Sequence, residues 1–216
     1  MNIFDLPVLS SLLSAASAGF TALGALVTPV GAIVLVTLAV RALLIPVGVS
    51  LVRTDLARRR LAPRIAELQK RWKKNPERLQ RETLALYASE KISPFAGILP
   101  VLLQAPVLTL VYATFTVHAV PGSLFGAALA GHFVAAPLVF AAVLLLIAVV
   151  AWLSRRAALR NAVTEPTALT RALSWTPFIT VIAGAFLPLA ATLYLAISST
   201  WTLVERALVR RALTAA

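Results

Sequence analysis

The chain has no cysteine, which excludes a disulfide framework, a thiolate metal site and a lipidated N-terminal cysteine. It is also poor in charge: 13% of its 216 residues are Asp, Glu, Lys or Arg, against about 25% in an average soluble domain. Four stretches, 6–40, 42–52, 92–154 and 172–204, contain no charge of either sign. Apolar runs of roughly 18 residues or more are candidate membrane spans. A membrane barrel, whose strands alternate polar and apolar over about ten residues, is the disfavoured class. The expected fold is an all-α polytopic membrane protein.

The charge that is present is lopsided. Twenty basic residues face eight acidic ones, a net +12, which could suggest nucleic acid. The distribution argues otherwise: 12 basic residues lie in 53–91, four in 154–171 and three in 206–211, with Arg41 alone elsewhere. Short cytoplasmic loops collect Lys and Arg. Residues 53–91, 154–171 and the C-terminus are therefore expected on the cytoplasmic side, with the N-terminus and 118–133 outside. Parity then sets the count. Residues 92–154 must cross twice, turning between 118–123 and Gly131-His132, and 172–204 must also cross twice, turning near Pro188. A single long tilted helix over 172–204 would send the C-terminal arginines outside, against the charge rule.

The expected layout has five spans, N-terminus out and C-terminus in. An outer interfacial amphipathic segment (1–28) precedes the first span (29–52). A cytoplasmic basic hairpin (53–92), the second span (93–117), an outer loop (118–133) and the third span (134–153) follow. A cytoplasmic loop (154–171), the fourth span (172–187), the fifth span (188–205) and a short cytoplasmic tail (206–216) complete it. The interfacial segment rests on Leu9, Leu12, Leu13, Ala16, Phe20 and Leu23 at helical spacing, with Ser10, Ser14, Ser17 and Thr21 opposite. A signal peptide is the rival, because Ala16-Ser17-Ala18 resembles a cleavage site, but its usual positive n-region is replaced by Asp5. The last two spans, about 16 residues or ~24 Å each, imply local bilayer thinning or snorkelling ends.

Within the basic segment Leu61, Ile65, Leu68 and Trp72 form one helical stripe, and Leu79, Thr83, Leu86 and Tyr87 a second. Between them Asn75 suits an N-cap and Pro76 a first helical position. The pair reads as an antiparallel helical hairpin of net charge +7, from 12 basic and five acidic residues. Charge alone is consistent with a solvated face. The functional reading is a surface (Arg58, Arg59, Arg60, Arg64, Lys73, Lys74) for anionic headgroups, ribosomal RNA or an emerging chain. DNA is not an expected partner, since no recognition motif is present.

Arg41 interrupts the apolar run VTLAVRALLIP (36–46). A cation at that depth costs roughly 2.5–3.5 kcal/mol on insertion scales and usually faces a bundle interior or a water-filled cavity. Snorkelling past Pro46 is the alternative. Against it, Arg41 lies roughly 18 Å along a helix from Arg53. Thr37 shares its face at i−4, and the apolar stretches hold no acid to pair with it. A hydrated cavity is the favoured reading. Gln104, between Pro100 and Pro106, is the most specific of the other polar span residues. Thr109, Thr114, Thr180, Thr192, Tyr194, Ser198 and Ser199 are weaker candidates, because most span hydroxyls bond to their own or neighbouring helices.

Taken in order, these motifs resemble the YidC / oxidase-assembly / Albino family of membrane protein insertases, in its short form without a large outer domain. The resemblance runs from about residue 34 to 211. It rests on Thr37, Arg41 and Pro46; on LAPRIAELQKRWKKNPERLQRETLALY (61–87); on SPFAGILPVLLQAP (93–106); and on LPLAATLYLAISSTWTLVE (187–205). It implies five core spans around a positively charged hydrophilic groove, open to cytoplasm and lipid and closed outside. The groove positions would be Arg41, Thr37, Gln104 and Tyr194, and the hairpin would help receive substrate. The implied partners are nascent membrane-protein clients and the lipid bilayer, with the ribosome and a Sec-type translocon as further candidates. The implied location is the bacterial cell membrane. No cofactor, metal or catalytic residue is expected. Four features depart from the family pattern: Ser93 replaces Asn before Pro, Leu195 replaces one of an aromatic pair, 134–153 has no Gln, and no long basic tail follows Glu205.

Two other function classes compete. One is a small anion-selective channel or transporter in which Arg41 selects the ion, although no internal repeat of the transporter kind is visible. The other is an intramembrane enzyme. His118 and His132 flank the outer loop without a nucleophile or acid beside them, so both read as loop residues.

Overall fold

The computed structural model describes residues 18–19, 22–24, 26–90, 122–160 and 168–215. The second span, Gln104 and His118, and most of the interfacial segment, lie outside the described residues. What is described is mainly helical, the all-α class that the composition predicts.

Helix α1 (Pro29–Leu43) begins at a capped end. Thr28 Oγ1 accepts the Gly31 N–H at 3.1 Å, and Pro29 takes the first turn, where a missing N–H costs nothing. It stops at Leu44, and α2 (Ile45–Arg71) continues at an angle of 55°. Pro46 supplies the break, since it has no N–H and its ring clashes with the carbonyl four residues back. Beyond the bend α2 runs unbroken through position 52, so one helix joins the end of the expected first span to the first arm of the hairpin. Helix α3 (Pro76–Ser89) supplies the second arm. Asn75 Oδ1 accepts the Arg78 N–H at 3.1 Å. At the hairpin tip the Trp72 ring carries two guanidiniums, Arg78 at 4.0 Å and Arg71 at 5.5 Å. Leu61 is buried and the other residues of both stripes are half-buried.

A two-rung hairpin, β1 (Ser123–Leu124) with β2 (Ala127–Ala128), forms in the expected outer loop. Both of its turn residues, Phe125 and Gly126, have positive φ (49° and 82°), the backbone that right-twisted hairpins favour. A short 3-10 turn (Phe133–Ala135) leads into α4 (Pro137–Arg160). Then come α5 (Ala168–Leu173), a second 3-10 turn (Thr176–Phe178), α6 (Ile179–Phe186) and α7 (Leu189–Ala215). Helix thus continues through positions 206–215, where the sequence suggests a tail, while the expected fourth span is divided among three short elements.

The loop 122–136 gathers three helix starts. Gly122, at φ +128°, lies so close to α1 that a Cβ would sit 2.8 Å from Pro29 Cγ. The Leu189 N–H donates to Gly131 O and the Ala190 N–H to Leu129 O, each at 2.9 Å. From this uncharged end α1, α4 and α7 run in the same direction. Helix α6 returns along α4: Arg155 stacks on Trp175 at 4.3 Å near one end, and Gly184 faces Leu144 and Ile147 near the other. A buried hydroxyl finishes the α6–α7 turn. Thr192 Oγ1 donates to Gly184 O at 2.9 Å, a carbonyl that the end of α6 leaves open, and lies 3.1 Å from Pro188 O, which also accepts the Thr192 N–H.

Helix α7 is central and packs on α1, α2, α4 and α6. Its small residues Ala190, Ala191 and Ala196 allow close approach. Helix α4 buries Phe140, Val143, Ile147, Val150 and Ala151 on one stripe. Its opposite face, Leu138, Leu145, Leu146, Val149 and Trp152, is equally apolar and exposed. A helix that is apolar all round belongs in a core or a membrane. Among the described residues α4 is the one helix long and apolar enough to cross a bilayer by itself, and the bent α1–α2 pair passes when taken together. Helix α7 has the length, but Thr192, Ser198, Ser199, Thr200 and Thr202 dilute its apolar half.

Candidate functional site

Ile33, Thr37 and Arg41 recur every four residues on α1 and so share a face. That face meets α7. Ile33 and Thr37 are buried, and the Thr37 hydroxyl donates to Ile33 O at 2.6 Å, so its polarity is satisfied within its own helix. Arg41 is half-buried in the last turn of α1, where a cation also complements the open carbonyls. Its Nη2 donates to Ser198 Oγ on α7. Ion pairs among the described residues join Arg59 and Arg210 to Asp55 and Arg64 to Glu90, and none reaches Arg41. A neutral hydroxyl therefore holds a cation whose charge no described carboxylate offsets.

Tyr194, one turn before Ser198, is 4% exposed and belongs to the apolar cluster, with Leu195 packed against that cluster. Of the expected groove positions, Thr37 and Arg41 thus lie on one face of α1 and Tyr194 on α7 one turn from Ser198, while Gln104 lies outside the described residues. Ser198, a weak candidate in the sequence, is the residue that contacts the guanidinium.

Two turns further along α7, and past the bend on α2, Gly48 faces Glu205. A Cβ at position 48 would collide with the carboxylate, 2.8 Å from its Cδ. Trp201 Nε1 donates to Glu205 Oε2 at 2.8 Å, while Oε1 is buried without a hydrogen-bond partner among the described residues. Glu205 follows the last apolar stretch, so the sequence reads it as the border of a cytoplasmic tail. Its signal was a matched spacing, seven residues from Arg41 to Gly48 and seven from Ser198 to Glu205.

At the basic end α2, α4 and α7 enclose a cavity of about 650 Å³. Arg58, Arg59, Arg206, Arg210 and Arg211 line it with a single carboxylate, Asp55, and Leu51, Val52 and Leu203 supply apolar wall. Asp55 Oδ2 accepts from Arg59 Nε at 2.9 Å and from Arg210 Nη2 at 2.7 Å. Burial lowers the Arg210 pKa, and the neighbouring Arg59 and Arg206 cations lower it further, against the opposing pull of Asp55. Two of the six expected hairpin residues, Arg58 and Arg59, thus face the cavity. Arg60, Arg64, Lys73 and Lys74 are exposed, with Arg64 paired to Glu90 at 3.2 Å.

Comparison with known proteins points to one family. The family model described as 60Kd inner membrane protein matches residues 24–216. A "Membrane protein insertase YidC" of Clostridium perfringens (strain 13 / Type A) is 40% identical over 84 residues, covering 39% of this chain and 35% of that protein. Its namesake in Clostridium tetani (strain Massachusetts / E88) is 38% identical over 84 residues, 39% of this chain and 38% of the relative. A third, from Chlamydia caviae, is 38% identical over 80 residues, 37% of this chain and 10% of the relative. The matches thus span well under half the length of these relatives.

Proposed function

The chain belongs to the 60Kd inner membrane protein family, the YidC / oxidase-assembly / Albino insertases, and on that premise we propose that it is itself a membrane protein insertase of the bacterial cell membrane. It works without nucleotide hydrolysis or covalent catalysis. Five spans, N-terminus out and C-terminus in, enclose a groove that contains Arg41, Thr37, Gln104 and Tyr194. A hydrophilic stretch of a nascent membrane protein enters from the cytoplasm, past the basic hairpin. Its acidic groups are drawn to Arg41, whose field is strong because its surroundings are only partly hydrated. The adjoining hydrophobic segment then partitions into lipid, and that burial drives release.

The observation that carries this reading is the state of Arg41: half-buried, held by Ser198, and without a described carboxylate to neutralise it. A cation kept at that cost is poised for an anion supplied from elsewhere. The test is insertion of a single-span client with an acidic N-terminal tail into vesicles reconstituted with purified protein. Arg41→Glu should abolish insertion and Arg41→Lys should retain more of it than Arg41→Ala. Undiminished insertion by Arg41→Glu would remove Arg41 from the mechanism. Ion flux that follows the charge at position 41, without insertion, would replace the insertase with an anion channel. Because the chain lacks native cysteine, a Cys at position 41 or 104 also reports groove access directly. It should react with a cytoplasmic reagent and not with an external one.

A further inference from the structure

The arginine-lined cavity at the basic end of α2, α4 and α7 is separate from the Arg41 position, which is not among its lining residues. We infer that this cavity binds the phosphate of an anionic phospholipid headgroup. The inference rests on the chain's residence in a bilayer and needs no insertion step.

Charge is the first argument. Five arginines and one aspartate give the lining a net +4. Asp55 is shared between Arg59 and Arg210, and no ion pair among the described residues involves Arg206 or Arg211. Burial first, and then the neighbouring Arg59 and Arg206 cations, disfavour the protonated form of Arg210 against the pull of Asp55. A phosphate, with several acceptor oxygens, would relieve that crowding through charge-assisted bonds.

Depth is the second argument. Seventeen residues of α7 separate Leu189, at the uncharged end, from Arg206, about 26 Å at 1.5 Å per residue. The hydrocarbon core of a bilayer is about 30 Å thick. With one end of α7 at one membrane surface, Arg206, Arg210 and Arg211 fall at the headgroup level of the other. Basic pockets between helices at that level are suited to anionic headgroups.

The third argument is the amphipathic wall. Leu51 and Val52 of α2 and Leu203 of α7 line the cavity beside the arginines, and Val204 and Leu208 on α7 and Trp152 on α4 are exposed apolar side chains. A ligand with a phosphate and acyl chains matches both features, whereas an acidic peptide uses only the charge. A zwitterionic lipid would bring a cationic ammonium group toward a +4 surface, which Coulomb repulsion opposes.

The test uses the purified full chain in detergent, titrated with short-chain phosphatidylglycerol and read by native mass spectrometry. Arg206→Gln/Arg211→Gln should weaken binding by about tenfold or more, and Arg53→Gln/Arg160→Gln, which removes two charges outside the cavity, by less than about twofold. Equal weakening in the two variants would overturn the site in favour of diffuse surface attraction. Phosphatidylcholine binding as tightly as phosphatidylglycerol would overturn the requirement for net negative charge. Inorganic phosphate competing at the same concentration would make this a free-phosphate site and overturn the lipid. An acidic peptide that binds where phosphatidylglycerol does not would overturn it equally. A second measurement needs no variant. A diazirine-bearing phosphatidylglycerol in vesicles should label wild-type chain at Leu51 and Leu203, and labelling spread evenly along the exposed face of α4 would overturn the proposal. Neither readout involves a client, so failure of the lipid site and failure of the insertase reading are separately visible.

Discussion

The two ends of the helix bundle solve the same problem in opposite ways. At the uncharged end, chain reversals are closed by backbone. Leu129 and Leu189 are buried, and the N–H groups of residues 129, 189 and 190 all find carbonyls across the loop. At the basic end α2, α4 and α7 surround a cavity of about 650 Å³ lined by side-chain cations. Backbone pairing gives a dry closure because every donor has a fixed acceptor. Arginines cannot close on one another, so an end built from them stays open unless an anion enters. The seam that α1 and α2 make with α7 links the two, passing from buried Thr37 through half-buried Arg41 to the Gly48–Glu205 contact.

Four substitutions, from the largest expected effect to the smallest, would break or sharpen this contrast. Arg41→Glu should reduce client insertion in vesicles to background, while the purified protein keeps its helical circular dichroism. Loss of fold instead would make Arg41 structural. Gly48→Ala should destabilise by about 1–3 kcal/mol, the usual range for overpacking, as the new methyl meets the Glu205 carboxylate. Thermal unfolding in detergent measures it, and Glu205→Ala added to Gly48→Ala should restore much of the loss. Failure of that rescue would mean that the seam tolerates no movement. Thr192→Val removes the hydroxyl that serves Gly184 and Pro188 at the closed end, for about 1–2 kcal/mol, again read as a fall in melting temperature. Asn75→Ala should cost about 1 kcal/mol and confine the damage to the hairpin. Hydrogen exchange should quicken at Arg78 and its neighbours and stay unchanged in α4 and α7.

Much of the arrangement is legible in the order of the residues. The charge-free stretches and the three basic clusters sort the chain into ends because moving a charge into hydrocarbon is costly enough to dominate every local preference. Asn75-Pro76 announces a helix start, and Pro188 a turn, because caps and proline act through the backbone within a few residues. Thr37 and Arg41 share a face by spacing alone. Other features are not legible. Pro46 signals a break, yet nothing local says that the helix resumes at 55° and continues to Arg71. Ser198 looks like one of several span hydroxyls until its position opposite Arg41 singles it out. Glu205 looks like the charged end of the fifth span until Gly48 proves to be the small surface that it packs on.

By itself, then, the sequence determined which segments are apolar, which end of each is basic, and that Arg41 has no acid in the neighbouring apolar stretches. These are properties of composition and period, fixed by the cost of charge in an apolar medium. The tertiary structure decided what stands opposite what: Ser198 before Arg41, Glu205 on Gly48, and five arginines from α2 and α7 around one cavity. Such meetings join residues about 150 positions apart in the chain. Helical periodicity carries no information over that distance, and only the packing of α1 and α2 against α7 brings them within hydrogen-bond reach.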